Sequence, residues 1–403
     1  MSFAAVVIAA ISAFAQLSLD AAQQFAVSNN VDVQTALATV RQKDAMLRVA
    51  RAGGFPHLSA DYSLSPQASA NNRYTVEAHY WNLGINVSIN DILAASPATQ
   101  SAAGELLAAQ READAAVLRA RVNATDLYFT ALQAIATERM RRADLLGAQR
   151  DRSAASLRYR TGEAPNLDLV RADVSLAQAQ AAFVRAQADR VDAVAALAAA
   201  TGVSPDELAS LGGSVVIPAP ELDPLQATRR ALAARPELVA LLATIEARRA
   251  DVAAARQSAL PTATVSAGYQ RGVDSELGVQ GPAVAAHVDL PIASASAART
   301  ESAQSQVDIA RAQLIDERRL IALEVANAVR DARARASASE AAVEARDEAA
   351  RALAAVEIGY REGASSSLDV ADARRTFQQA ELDALVASYQ QAQALATLEV
   401  IVP

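Results

Sequence analysis

The chain has 403 residues, of which 52% are hydrophobic but only 4% aromatic, and its formal net charge is −8. The surplus of apolar residues is alanine, which favours helices and lets them approach closely, so the composition predicts long packed helices rather than aromatic cores. The absence of cysteine excludes disulfides and thiolate metal sites. The acidic balance and the dispersed arginines argue against a nucleic-acid partner.

The N-terminal residues predict a secretory signal peptide. An apolar run at 4–11 is followed by a small-x-small site that ends at Ala15, a pattern that signal peptidase cleaves. We therefore expect segment 1–15 to be removed and the mature chain to begin at Gln16. Because no basic residue precedes the apolar run, a buried N-terminal helix is the alternative. No later segment is apolar for long enough to span a bilayer as a helix, so membrane insertion would have to use strands.

An internal repeat organises the rest of the sequence. Residues 26–64 align without a gap to residues 231–269 at an offset of 205, and residues 159–162 align to residues 360–363 at an offset of 201. The chain is therefore one structural unit written twice. The predicted organisation is a first repeat at 16–201, a Pro- and Gly-rich linker at 202–223 and a second repeat at 224–403.

Each copy is predicted to begin with one helix and to continue with two strands. The first helix runs from Leu19 to Gly54 and stops before Pro56, because proline cannot continue a helix. The strands lie at about 57–64, 79–90, 262–269 and 284–292. Apolar and polar residues alternate along all four, a pattern typical of a half-buried soluble sheet or of a barrel wall with lipid outside and water inside.

Polar loops at 65–78 and 270–283 are expected to join the strands of each pair. Four strands cannot close into a barrel, and an open sheet edge is not tolerated in lipid, so a membrane location requires several copies of the chain. Three chains would supply twelve strands.

A very long helix follows each strand pair. These helices are predicted at about 92–159 and 293–360, and each is followed by a break and a shorter helix, at 166–201 and 367–400. A helix of that size is on the order of 100 Å long. The predicted fold class is therefore mainly α with a membrane β-barrel part.

The signal peptide, the order of elements repeated twice and the Tyr-x-x-Gly-(x)4-Leu-Asp-Val turn at 360–370 together resemble the TolC family of outer-membrane efflux proteins. The resemblance covers Gln16 to Pro403. It implies a homotrimer with a 12-stranded barrel in outer-membrane lipid and a helical tunnel through the periplasm. It also implies docking to a periplasmic adaptor and to a proton-driven or ATP-driven inner-membrane pump, with the tunnel tip closed until the complex engages.

The resemblance places the candidate gate at the tip. Asp369 and Asp372 match the family segment whose two aspartates form stacked acidic rings in the pore, and their spacing puts both on one helix face. Such rings would favour cations and raise the pKa values of their members. The alternative for Asp369 is a place in the first helical turn after a Ser366 or Ser367 cap, where it complements the helix dipole.

The first copy differs from the second at the tip. Asp168 aligns with the first ring aspartate, but Arg171 stands where the second would be, so the acidic rings should come from one copy only. Tyr360 matches a family tyrosine that takes part in polar links that close the tip. The family arginine four residues before the first ring aspartate is Ser365 here, so Arg171 and Arg361 are the candidates for the missing cation.

Other functions are less well supported by the sequence. His57, His79 and His287 do not have the spacing of a known metal site, and no catalytic or nucleotide-binding motif is present, so we predict no enzyme, no metal and no cofactor. A periplasmic coiled-coil adaptor or scaffold protein is the alternative function, since it would share the long alanine-rich helices. The alternating strands argue for the channel. The sequence does not indicate whether drugs, metal ions or polypeptides are exported.

Overall fold

A computed structural model describes residues 17–53, 55–68, 74–208, 211, 223–257, 260–273, 278–289 and 295–402. Segment 1–15, the predicted signal peptide, lies outside these residues. The elements in chain order are α1 (Leu19–Asn29), α2 (Val31–Ala52), β1 (His57–Ala68), β2 (Tyr74–Ser88), α3 (Ile89–Arg160), α4 (Asn166–Thr201), α5 (Pro205–Leu208), α6 (Pro224–Ala234), α7 (Pro236–Gln257), β3 (Thr262–Val273), β4 (Gly278–Asp289), α8 (Ser296–Arg361) and α9 (Ser367–Ile401).

The contacts divide the chain into two compact units. Each unit draws on both predicted repeats, so a single copy of the repeat does not form a unit by itself. The first unit comprises Met1–Gln34, Ala115–Ala234 and Arg319–Pro403, and the second comprises Thr35–Asp114 and Arg235–Arg318.

The second unit contains an antiparallel sheet with the strand order β1-β2-β3-β4. β2 and β3 meet at its centre, where Gly84 lies opposite Gly268, so one strand pair from each copy joins there. Among the described residues, β1 pairs only with β2 and β4 pairs only with β3. The outer edges of β1 and β4 are therefore left without a strand partner in this part of the chain.

One face of the sheet is apolar and exposed. The strand register aligns Leu58 with Ile85 on this face, and Trp81 has 61% of its surface exposed. The exposed apolar side chains are Leu58, Tyr62, Trp81, Leu83, Ile85, Val265, Tyr269, Val284 and Val288. An apolar face of this extent needs a cover, because folded proteins in water rarely leave such patches open.

The strands are longer than predicted on the side of the connecting loops. β1 extends to Ala68 and β2 begins at Tyr74, and β3 extends to Val273 while β4 begins at Gly278. The predicted loops 65–78 and 270–283 were therefore wrong over most of their length, because polar strand residues there complete the ladder hydrogen bonds. β2 also ends at Ser88, where α3 takes over.

The predicted helix Leu19 to Gly54 is two helices rather than one. α1 ends at Asn29, and the Asn30 side chain accepts hydrogen bonds from the backbone of Asp32 (2.8 Å) and Val33 (3.1 Å), which starts α2. Asparagine is a strong helix N-cap, and this capping effect was missed. The second copy breaks at the aligned position, Arg235, because Pro236 disfavours a helical conformation in the residue before it.

The first unit has a core of small and aliphatic side chains. Tyr128 and Phe129 of α3 pack edge to face, with ring centroids 5.7 Å apart, and the Tyr128 hydroxyl donates to the Leu17 carbonyl over 3.0 Å. The cluster comprises Ala22, Tyr128, Phe129, Ala131, Leu132, Ile135, Val194, Leu197, Leu208, Leu211, Ala392 and Ala396. Alanines let α1, α3, α4 and α9 approach closely. Among the described residues, no helix is both long and apolar enough to cross a membrane.

Candidate functional site

Two helical hairpins of the first unit end in turns of the same kind. α3 and α4 are joined through Gly162 (φ 80°), and α8 and α9 are joined through Gly363 (φ 77°). The Gly162 amide donates to the Tyr159 carbonyl over 3.1 Å, and the Gly363 amide donates to the Tyr360 carbonyl over 3.2 Å. A positive φ favours glycine, so the Tyr-x-x-Gly motif ends each long helix at the required position.

The two turns lie at the same end of the unit. Arg158 Nη1 donates to the Tyr360 hydroxyl over 3.3 Å, and this contact joins α3 to α8. We call this end of the unit, where residues 158–175 and 357–375 lie, the tip. The predicted site residues therefore come together in one region.

Asp369 starts α9 through a capping box. Its carboxylate accepts from the Ser366 amide and hydroxyl, each at 2.8 Å, and the Ser366 hydroxyl accepts from the Asp369 amide over 3.2 Å. These hydrogen bonds hold the pKa of Asp369 below its ordinary value of 3.8. The hydrogen bond from the Ser366 backbone has the largest effect, and the hydrogen bond from the Ser366 hydroxyl adds to it. Asp369 thus makes the helix-starting contact considered as an alternative, and its place in a pore stays a prediction.

The other predicted acidic residues each have an arginine one helical turn away. Arg375 Nη2 lies 3.0 Å from Asp372 Oδ1 on α9. On α4, Arg171 Nη1 lies 3.7 Å from Asp168 Oδ1. The Asp372 pair is exposed and the Asp168 pair is partly exposed, so each contributes little to stability, but each places a positive charge beside a carboxylate.

Arg374 joins α9 to two other helices. Its Nη1 donates to Asp151 of α3, and its Nη2 donates to Glu357 of α8 over 3.1 Å. Asp151 lies in the first copy of the repeat and Glu357 in the second. Arg374 therefore ties the two hairpins together close to the tip, as Arg158 and Tyr360 do.

Further polar contacts follow the line where α3 and α9 meet. Gln378 Nε2 donates to Asp144 over 3.1 Å. Farther from the tip, Gln393 and Thr397 donate to Asp126 over 3.0 Å and 3.3 Å. The acceptors all come from α3 and the donors all come from α9.

The sequence did not reveal which arginines hold the tip. The guanidinium on Tyr360 belongs to Arg158, whereas Arg171 faces Asp168 and Arg361 donates to the Glu357 carbonyl of its own helix. Arg374 was missed because it sits in a helix with many exposed charges. The sequence gives one signal for Arg374: the aligned residue of the first copy is Asp173, which carries the opposite charge.

The described residues do not include a metal site formed by the histidines of the strands. His287 Nε2 lies 3.1 Å from Asp289 on the same strand, and both side chains are exposed. Within the described part of the chain, no group of three or more His, Asp or Glu side chains is arranged to hold a metal ion.

The described chain combines a four-stranded sheet, one face of which is apolar and exposed, with helical hairpins built on α3 (72 residues) and α8 (66 residues). A family model described as outer membrane efflux protein matches residues 22–203 and 227–402. The chain belongs to this outer membrane efflux protein family.

Individual proteins agree with the family match. The outer membrane efflux protein BepC of Brucella suis biovar 1 (strain 1330) is 26% identical over 388 residues, which is 90% of this chain and 82% of BepC. A membrane protein from Pseudomonas aeruginosa is 22% identical with a TM-score of 0.84, and the match covers 95% of this chain and 90% of that protein. The Campylobacter jejuni outer membrane channel CmeC is 18% identical with a TM-score of 0.81, and the match covers 96% and 86%.

The predicted fold class and function are confirmed by these matches. The chain is an outer-membrane efflux channel that extends into the periplasm, and it belongs to a family of transport proteins rather than of enzymes. The alternative of a periplasmic adaptor is not favoured.

Proposed function

We propose that this efflux channel is a homotrimer gated at the tip by the contacts of Arg374, Arg158 and Tyr360. In this proposal segment 1–15 is removed on secretion, and the repeats 16–201 and 224–403 supply two strand pairs and two hairpins per chain. The tip forms the periplasmic entrance, and a periplasmic adaptor and an inner-membrane pump open it. The channel itself is a passive duct.

The edges of the sheet support a trimer. β1 and β4 each leave one edge without a strand partner among the described residues, and an unpaired edge is costly in lipid. Joining β4 of one chain to β1 of the next removes every edge when the ring closes, and three chains give twelve strands. The exposed apolar face then faces lipid, and the opposite face, with Asn82, Asn86 and Gln270, lines the lumen.

The character of the helix contacts supports a gate at the tip. Near the tip, α9 is tied to α3 by hydrogen bonds and ion pairs from Arg374 and Gln378. Farther along α9, Gln393 and Thr397 also donate to Asp126, but there Ala392 and Ala396 belong in addition to the buried apolar cluster. Polar side chains can exchange their partners for water, so the tip can separate while the apolar cluster holds the rest of α9 in place.

Asp369 and Asp372 are proposed to line the entrance. Both lie within the first two turns of α9, on the element that Arg374 holds. In a trimer they would approach their symmetry copies, and Asp168 and Arg171 of the first copy would stand between them around the entrance. The contact of Arg374 with two carboxylates from two different helices is the observation that carries the gate.

The test is the conductance of purified protein in planar bilayers. Arg374→Gln keeps a hydrogen-bonding side chain but removes the charge that bridges Asp151 and Glu357. Two exposed ion pairs of about 0.5 kcal/mol each correspond to roughly a fivefold rise in the open fraction per protomer. We expect Arg374→Gln to conduct more and to open longer than the unmodified channel.

Arg152→Gln is the matched control. Arg152 Nε lies 2.9 Å from Asp173, both are half exposed, and this pair joins α3 to α4 within one hairpin. Its removal should leave the open fraction unchanged. Equal open fractions for Arg374→Gln and the unmodified channel would contradict the gate, whereas a protein that never conducts would contradict the trimeric channel.

A further inference from the structure

We propose that Arg375 sets the ion preference of the entrance by compensating the charge of Asp372. This inference rests on the proposed position of Asp372 at the entrance. It predicts a channel with a weak preference for cations, although two aspartates of α9 stand at the mouth.

The two neighbouring arginines of α9 have different partners. Arg374 contacts Asp151 and Glu357 on other helices. Arg375 instead contacts Asp372 over 3.0 Å, and 69% of its side chain and 58% of that of Asp372 are exposed. The charge of Arg375 therefore stays with the carboxylate that faces water, whereas the charge of Arg374 is used within the helix packing.

The first copy of the repeat shows that this arginine is a local feature. The residue aligned with Arg375 is Val174, and the residue aligned with Asp372 is Arg171. The tip as a whole carries six arginines and seven carboxylates in residues 158–175 and 357–375, so its charge is nearly balanced. Removal of one arginine per chain changes that balance appreciably.

Threefold symmetry multiplies the effect. Three copies of Arg375 would surround a narrow opening, and each would act on the same ion at a distance within about one Debye length, about 10 Å at 0.1 M salt. The electrostatic energy between a trivalent cation and each of these charges is three times that of a monovalent cation at the same distance. Loss of all three positive charges should strengthen block by such a cation about tenfold.

The experiment compares block of single-channel current by lanthanum from the tip side, with the purified trimer in planar bilayers. Arg375→Gln should be blocked at about one tenth of the lanthanum concentration that blocks the unmodified channel. A second readout is the reversal potential in a potassium chloride gradient, which should move towards the value for a cation-selective pore. Trimer mobility in detergent confirms that the variant assembles.

Arg335→Gln is the matched control, because Arg335 forms an exposed pair within one helix, with Asp331 on α8 at 2.7 Å. It lies 22 residues before Glu357, about 33 Å along α8 from the nearest residue of the tip and beyond the screening distance. Its block should equal that of the unmodified channel. Asp372→Asn together with Arg375→Gln should return block to the original strength. This result would identify Asp372 as the carboxylate whose charge Arg375 compensates.

Three outcomes overturn the inference. Equal lanthanum concentrations for half block of Arg375→Gln and of the unmodified channel would remove the role of Arg375. Strong block that persists in the double variant would exclude Asp372 as its partner. A change of equal size in Arg335→Gln would show an unspecific charge effect. Absence of any conductance in the unmodified protein would instead contradict the proposed channel.

Discussion

Arg158 and Tyr360 lie in different copies of the repeat, and Arg158 Nη1 donates to the Tyr360 hydroxyl over 3.3 Å. The contact joins the end of α3 to the end of α8. It is exposed and long for a hydrogen bond, so it acts as an auxiliary to the two contacts of Arg374.

Tyr360→Phe should raise the open fraction of the channel by about two- to fivefold, because it removes one hydrogen bond of about 0.5–1 kcal/mol. The increase should be no larger than that of Arg374→Gln. Single-channel recording measures it. Tyr159→Phe, at the aligned position of the first copy, is the control and should have no effect. An unchanged open fraction in Tyr360→Phe would remove this contact from the gate.

Gly268→Ala should destabilise the sheet by about 1–3 kcal/mol, since a side chain does not fit there. A Cβ atom at Gly268 would lie 2.5 Å from the Leu83 carbonyl oxygen and 2.6 Å from the Gly84 Cα. The fraction of protein that migrates as a heat-resistant trimer should fall. Gly281→Ala is the control, because no atom of the described residues, apart from its own chain neighbours, lies within 4 Å of its added Cβ. Equal trimer fractions for both variants would contradict this close approach of β2 and β3.

The lowered pKa of Asp369 predicts that the stability of the first turn of α9 depends on pH. Its folded-state pKa lies below 3.8, so the stabilisation is present above the unfolded pKa and is lost as the pH falls through the folded value. Repulsion between symmetry copies would oppose this shift. Carboxyl NMR of labelled trimer should give a pKa below 3.8 for Asp369, and Ser366→Ala should raise it. A value above 3.8 in the unmodified trimer would show that repulsion exceeds the capping effect.

Glu105 holds together three helices of the second unit. Its carboxylate lies 2.9 Å from Lys43 of α2 and 3.4 Å from Arg248 of α7. Glu105→Ala should lower the free energy of unfolding by about 1 kcal/mol, since these groups are only partly exposed. Glu246→Ala, which removes an exposed pair with Arg249 on one helix, is the control. Thermal unfolding in detergent that gives equal midpoints for both would contradict a role for Glu105.

The sequence predicted much of the fold because periodicity and repetition reflect local geometry. The alternation of Trp81, Leu83 and Ile85 predicted a strand with an apolar face, and the Tyr-x-x-Gly motif predicted where the long helices end. The break at Asn30 was missed because an apolar period continues across it, while a single side-chain cap decides the local conformation.

The contacts at the tip could not be predicted in the same way. Arg374 meets Asp151 only because α3 and α9 pack side by side, and that neighbour relation between distant segments leaves no periodic trace in the sequence. Arg171 and Arg361 were reasonable candidates by sequence distance alone. The geometry instead assigns the contact with Tyr360 to Arg158, which lies 202 residues away in the chain.

The number of chains in the assembly tests the account most directly. Native mass spectrometry of protein extracted from outer membranes in mild detergent should give three times the mass of one mature chain, because three sheets supply the twelve strands of the proposed barrel and closure of the ring pairs every edge. A species of one or two chains, with the outer edges of β1 and β4 open to hydrogen exchange, would contradict it.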